Sequence, residues 1–424
     1  MSMPVEVCLP VRLPVPLRVN FAWTSVGHAT YAACQWAMVS ALAKLGSVEL
    51  VGQYALGLAA TAPVLMLAQL NLRSVLATDP EFEGRFDDYR DLRVLTLAVA
   101  GAVIAGIAFS MDGAMPRIAL LAGAVQAVEW VSDIYHGLYQ RLERMERIAA
   151  SLAARGLLSV AALALGVWGT GSLAIGLAGV FAVRLLVLIV FDRGIAFRDC
   201  RVVREGTAGD GSRARRLSKI AVTALPLGLV LMVGSLATNT PRYFAVHHLG
   251  EHALGIFSAI ASLATGGSFV VNALGQAATP ALARCYAAGD RAGFCRMTNK
   301  LAAVGVALCA AAVGSSLLVG DFVLKAAYRP EYAEHTPLLA AVMLATGVGY
   351  IGSLLGYSMT AARMFREQVP IQIASLGATA VAAFFAVPRF GLIGVAAAVG
   401  AGSLVQALAE VLLLIRWAGR ETTP

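Results

Sequence analysis

Charge is what this sequence lacks. Of its 424 residues only 14% are charged and 58% are hydrophobic, where a water-soluble domain carries about 25% charge. So few charges cannot cover a water-facing surface, and the chain is read as an integral membrane protein. Cysteine is scarce too. The six present, Cys8, Cys34, Cys200, Cys285, Cys295 and Cys309, avoid segments placed on the external side, so no structural disulfide is expected. No CxxC pair and no His/Cys cluster has metal-ligand spacing, and no metal or cofactor is expected. The GxxxxGK[ST] loop is missing, which argues against ATP-driven pumping by this chain. Outer connections are short. The largest, 321–335, offers Asp321, Glu331 and Glu334 without a paired motif, so a membrane-embedded polymerase or glycosyltransferase has no visible residue constellation. The opening stretch MSMPVEVCLPVRLPVPLRVN puts proline where a signal peptide needs an apolar core, and reads as a retained cytoplasmic tail.

What the chain has is apolar length. A bilayer-spanning helix needs about 20 mostly apolar residues. About twelve segments qualify: 21–43, 48–76, 91–112, 117–139, 149–168, 172–191, 217–241, 252–276, 298–320, 336–360, 368–387 and 391–415. With the N-terminus in the cytoplasm, 26 of the 33 basic residues fall on inner connections and six on outer ones, and Arg184 alone lies within a span. That bias places both termini inside. The net charge of +8 therefore reflects topology and does not point to nucleic acid. The 42 glycines suit close helix–helix approach in lipid.

The longest connection is Arg-rich and contains EGTAGDGS, a flexible composition. It divides the chain into a tail (1–20), a six-helix lobe (21–191), a cytoplasmic linker (192–216), a second six-helix lobe (217–415) and a tail (416–424). The halves echo one another: ALAKLGSVELVGQYALGLA (41–59) and FAVHHLGEHALGIFSAIAS (244–262) each read Leu-Gly, a few residues, Gly, then a small-residue helix. The expected fold class is all-α integral membrane, with about 12 transmembrane helices in two pseudo-symmetric six-helix lobes around a central cavity.

Three stretches, NLRSVLATDPEFEGRFDDYRDLR (71–93), EWVSDIYHGLYQRLERMERIAASL (129–152) and NTPRYFAVHHLGEHALGIFSAI (239–260), resemble a known family. It is the bacterial polysaccharide-transporter branch of the multidrug/oligosaccharidyl-lipid/polysaccharide exporter superfamily, the flippases for lipid-linked repeat units of O-antigen (lipopolysaccharide), capsule and exopolysaccharide. The likeness runs over most of the chain. It implies a bacterial inner-membrane transporter that turns a polyprenyl-diphosphate-linked oligosaccharide, of the undecaprenyl type, from the cytoplasmic to the outer face by alternating access. It also implies coupling to a proton or sodium gradient, and polymerase and glycosyltransferase partners. A drug/cation antiporter of the same superfamily is the alternative. Cavity sign separates the two, because a cationic cavity suits diphosphates and an anionic one suits cationic drugs.

Ionisable residues at bilayer depth cost roughly 2.5–3.5 kcal/mol each on insertion scales. Glu129, Asp133, His136 and Gln140 fall at i, i+4, i+7 and i+11, one helical stripe. The stripe reads either as a cavity lining that takes up protons or a coupling ion, or as a buried structural cluster capped by Arg141 and Arg144. Arg184 either pairs with Glu129 or Asp133, or meets the diphosphate that the resemblance implies; its planar fork matches phosphate oxygens. Arg242, beside Asn239 and after Pro241, reads as an outer-cavity residue for diphosphate or sugar, or as an interfacial anchor with Tyr243. Arg73 either guides the anionic head group or marks the inner boundary. Polar residues His28, Gln35, Asn272, Gln276, Gln372, Gln406 and Glu410 suit sugar recognition or helix bridging. Gly352-Ser-Leu-Leu-Gly356 is read first as close packing.

Overall fold

The computed structural model describes residues 17–78, 86–199 and 213–419. Most of the N-terminal tail with Cys8, part of the loop after the second span, the EGTAGDGS stretch with Cys200, and the last five residues lie outside them.

Every expected span is a helix among the described residues. They are α1 (Leu17–Leu45), α2 (Val48–Ala68), α3 (Phe86–Phe109), α4 (Met115–Arg141), α5 (Met145–Thr170) and α6, which begins as Leu173–Leu186. A short helix, Leu72–Thr78, follows α2. The helical run Arg213–Ala287 breaks at Gly250 (φ 83), giving α7 (213–249) and α8 (251–287). Then come α9 (Arg291–Ala327), a 3-10 turn (Pro330–His335) and α10 (Thr336–Ala361). The run Phe365–Gly419 breaks at Gly391 (φ 57), giving α11 (365–390) and α12 (392–419). Nine of the described helical segments, the two interrupted runs counted once each, are long and apolar enough to cross a bilayer. The first helix is not among them; Asn20, Thr24, His28 and Gln35 dilute its apolar face.

The described residues form two compact units. The first comprises those of 1–38 and 60–232, the second those of 39–59 and 233–424. The chain thus passes between units within α1, α2 and α7. In the first unit, Leu72, Leu76, Tyr89, Leu92, Ile134 and Leu138 form part of the core. In the second, Val271, Leu282, Phe294, Leu354, Met359 and Leu414 do so.

Three hairpins, α4–α5, α8–α9 and α10–α11, close with one and the same turn. The last amide bonds back five residues: Arg144 N to Tyr139 O at 2.8 Å, Asp290 N to Cys285 O at 3.0 Å, and Met364 N to Met359 O at 3.0 Å. The residue before it carries positive φ and bonds back three: Glu143 (φ 55), Gly289 (φ 69) and Arg363 (φ 57). This is the Schellman cap, which satisfies the orphan carbonyls of a helix end.

The two echoed segments meet inside the second unit. A β-carbon on Gly52 would run into the Glu251 carbonyl oxygen, and one on Gly255 into that of Val48. The glycines therefore allow α2 and α8 to approach backbone to backbone, reciprocally. Gln53 Nε2 donates to Glu251 Oε2 (2.9 Å), and His252 Nδ1 lies 2.6 Å from Glu49 Oε1.

Several local expectations change. The seventh helix runs on through Pro241 and breaks at Gly250. Asn239 Nδ2 donates to the Ser235 carbonyl (2.9 Å), and the Thr238 and Thr240 hydroxyls donate to carbonyls one turn back; such side chains support a proline-containing membrane helix. Asp321 sits in α9 rather than in a loop. Arg93 and Arg155, counted among the inner connections, are 0% and 1% exposed within α3 and α5.

Candidate functional site

The first unit holds a buried charge network built on α4. Its four stripe residues each reach partners on other helical segments. Glu129 Oε2 accepts from Arg184 Nη1 of α6 at 2.5 Å, and Oε1 accepts from the Tyr31 hydroxyl of α1 at 2.5 Å. Gln35, one turn along α1, donates to the Tyr31 oxygen (3.1 Å). Arg184 is 2% exposed and its Nε reaches Ser159 Oγ of α5 at 3.4 Å. Of the two partners weighed for Arg184, the structure gives it Glu129.

One turn further, Asp133 Oδ1 accepts from Arg73 Nη1 (3.1 Å), while Arg93 Nη2 stands 3.8 Å from Oδ2. Arg73 Nε also donates to Gln140 Oε1 (3.1 Å). Arg73, read either as a guide for the head group or as an inner boundary marker, is thus tied to both the second and the fourth positions of the stripe. His136 turns to α5 and α6: its Nε2 lies 3.1 Å from Ser151 Oγ, 3.2 Å from Arg155 Nη2 and 3.7 Å from Asp192 Oδ1.

Asp192, Arg93 and Arg155 are the members that sequence reasoning missed. Asp192 marked the inner end of the sixth span, yet it is fully buried. The cause is local. The α6 helix winds as a π-helix over Val187–Arg193 before resuming at Gly194–Asp199. A π-turn adds a residue to the helical cycle and re-aims the side chains after it. Tyr139 pins this turn by donating to the Asp192 carbonyl oxygen (2.6 Å), and Arg155 Nη2 faces the carboxylate at 3.9 Å. The available signal for Arg155 was a lone arginine inside SLAARGLLSV, with apolar residues on both sides.

The network brings four guanidinium groups, of Arg73, Arg93, Arg155 and Arg184, against three carboxylates, of Glu129, Asp133 and Asp192. It is cationic by one charge with His136 neutral.

The second unit holds a cavity of about 280 Å³ with polar and apolar residues in its lining. Thr238, Arg242, Thr346, Gln372, Ser375 and Gln406 contribute to its lining. Arg242 Nη1 donates to Asn239 Oδ1 (2.8 Å), so Asn239 positions the arginine, and Asn239 itself is buried. Arg242 has no carboxylate partner among the described residues. The hydroxyl of its neighbour Tyr243 donates to the Ala59 carbonyl of α2 (2.5 Å). Among the remaining polar candidates, Gln372 and Gln406 line the cavity, Asn272 accepts from the Tyr357 hydroxyl, and Glu410 is buried. The GxxxG glycines have a defined role. A β-carbon added at position 352 or 356 of α10 would come into ordinary contact, 3.6 and 3.4 Å, with the Gln406 and Glu410 side chains of α12.

Comparisons with known proteins come to the same fold. Residues 94–286 match the family model described as polysaccharide biosynthesis protein. The capsular polysaccharide biosynthesis protein CapF of Staphylococcus aureus is 23% identical over 381 residues, covering 89% of this chain and 94% of CapF. Among solved structures, an inward-facing multidrug resistance MATE family transporter of the MOP superfamily is similar with a TM-score of 0.73 at 14% identity, covering 93% of this chain and 98% of that one. The lipid II flippase MurJ, in an inward closed conformation, is similar with a TM-score of 0.71 at 11% identity, covering 92% and 87%. The resemblance read from the sequence is met in fold by both of these membrane proteins, and residues 94–286 are similar to the polysaccharide biosynthesis family.

Proposed function

We propose that this chain, with its exporter fold and its likeness to polysaccharide biosynthesis proteins, is a flippase for polyprenyl-diphosphate-linked oligosaccharides. It carries them from the cytoplasmic to the outer face of a bacterial inner membrane, with both termini cytoplasmic. The observation that carries this reading is Arg242: a half-buried arginine, with no carboxylate partner among the described residues, in a cavity whose other polar lining residues, Thr238, Thr346, Gln372, Ser375 and Gln406 among them, bear hydroxyls and amides, set among apolar ones such as Phe257 and Val342. A guanidinium beside neutral hydrogen-bonding groups is what an anionic sugar conjugate needs, since the fork takes phosphate oxygens and the amides and hydroxyls take sugar hydroxyls. A carrier of organic cations would be served by the opposite sign. The excess guanidinium of the α4 network points the same way. In this reading Arg242 and Arg73 contact the head group, Asn239 positions Arg242, and Arg184 is lent to the cargo only when Glu129 releases it. Coupling to an ion gradient drives the cycle, with Glu129, Asp133 and His136 as the stripe that responds.

Transbilayer transfer of a fluorescent polyprenyl-diphosphate oligosaccharide into proteoliposomes tests the proposal. Arg242→Ala should cut the rate by about ten-fold or more, since hydrogen bonds to a charged group are worth about 1.5–3 kcal/mol, and Arg242→Lys should recover part of it. Equal transfer by all three proteins would remove Arg242 from the head-group site.

A further inference from the structure

The three carboxylates of the first unit's network each face a guanidinium. Glu410 in the second unit does not. It lies on α12 at 2% exposure, deep in the packing between α12 and α10. Its Oε1 accepts one hydrogen bond, from Gln406 Nε2 at 3.1 Å, and its Oε2 has no hydrogen-bond partner among the described residues. Ionisable groups on the elements around it are turned elsewhere. On α10, the Tyr350 hydroxyl donates to the Ala264 carbonyl (2.5 Å) and the Tyr357 hydroxyl to Asn272 Oδ1 (3.2 Å). On α7, Arg242 is held by Asn239. On α9, Arg291 lies over the Trp417 ring at 5.7 Å, and Cys309 packs on Gly347. Arg284 on α8, Arg296 and Lys300 on α9, Arg366 and Glu367 on α11, and Arg416 on α12 are exposed.

A bare carboxylate in such surroundings is costly, because desolvation is not repaid by a partner; a neutral carboxyl avoids that cost. Gln406 both lines the cavity, beside Thr238, Arg242 and Gln372, and touches Glu410, so the carboxyl sits one side chain behind a space that water can fill. We propose that Glu410 is a proton-binding site of the second unit, loaded and unloaded through this cavity. The step is simple and balanced: a hydronium ion in the cavity gives its proton to the Glu410 carboxylate, leaving water and a neutral acid, and the reverse step returns the proton to water. The neutral acid lies toward Gly352 and Gly356 of α10. The carboxylate draws water toward α10 and loosens that contact. A proton suits the site better than a metal ion, because Gln406 presents an N–H donor where a hard cation needs oxygen ligands. The inference deepens the gradient-coupled reading above, and its basis is the carboxyl's own surroundings.

Infrared difference spectroscopy on the full chain in lipid nanodiscs, over a pH series, reads the carboxyl without any cargo. The expected result is a protonated-carboxyl C=O band that falls as pH rises and shifts in heavy water. It should disappear in Glu410→Gln and persist in Glu129→Gln and Asp133→Asn. Glu410→Asp should keep the band with a displaced midpoint, a readout that does not depend on the glutamine variant folding. A band that survives in Glu410→Gln, an unmoved midpoint in Glu410→Asp, or a band abolished by sodium at constant pH would overturn the proposal. Because no oligosaccharide is present, failure of cargo transfer would leave this result standing.

Discussion

Arg184 and Glu129 are joined at 2.5 Å, with the arginine side chain 3% and the glutamate side chain 25% exposed. Removing one partner from such a pair leaves the other buried and uncompensated, at a cost of about 3–5 kcal/mol, whereas replacing both by neutral groups of similar size is often near neutral. Arg184→Met should therefore lower the melting temperature clearly, and adding Glu129→Gln should restore most of it; thermal unfolding in detergent reads both. Additive losses would mean that the two side chains do not act as a pair. The same residues show how much of the site was legible. Glu129, Asp133 and His136 stood out because charge inside an apolar run is rare and their spacing is helical. The partners were not all legible, since pairing across α1, α4, α5 and α6 is set by packing, which leaves no trace in linear spacing. Asp192 was misplaced because a π-turn shifts the face on which a residue emerges, and regular helical counting assumes that no such turn occurs.

At the scale of helices and turns, glycine decides where backbones can touch. Gly52→Ala and Gly255→Ala each push a β-carbon into a carbonyl of the facing helix, and overpacking of this kind costs about 1–3 kcal/mol. Gly101→Ala in α3 meets nothing within 4 Å and should gain about 0.5–1 kcal/mol from helix propensity alone. Melting temperatures should split accordingly, down for the first two and level or up for the third. The hairpin caps offer a matching contrast. Glu143 holds a left-handed conformation at the position where Gly289 sits in the α8–α9 turn, and for a residue with a side chain that conformation costs roughly 1–2 kcal/mol. Glu143→Gly should thus hold or raise stability, and Gly289→Ala should lower it. The echo of Leu-Gly motifs was readable as a repeat, and its physical meaning, reciprocal contact of α2 with α8, became visible only with the fold. The identical caps of three hairpins were not readable at all, because Glu143, Gly289 and Arg363 share a conformation and no chemistry.

For the molecule as a whole, scarcity of charge pointed to the membrane class and apolar run lengths to the helices, because lipid admits few other solutions where, as among the described residues, there is no strand. Cargo is different, since transporters of one fold carry unlike molecules, and only the sign and chemistry of the interior speak to it. Four guanidiniums against three carboxylates in the first unit, and in the second unit's cavity an arginine without a carboxylate partner among the described residues, favour an anion. The most direct measurement is a competition in proteoliposomes that carry the purified chain. Transfer of a polyprenyl-diphosphate oligosaccharide is followed across the bilayer, and accumulation of an organic cation is followed in parallel under the same imposed proton gradient. The account predicts transfer of the diphosphate conjugate, a fall of about ten-fold or more with Arg242→Ala, and no accumulation of the cation. Cation accumulation without any diphosphate transfer, by protein with an undisturbed melting curve, would contradict it.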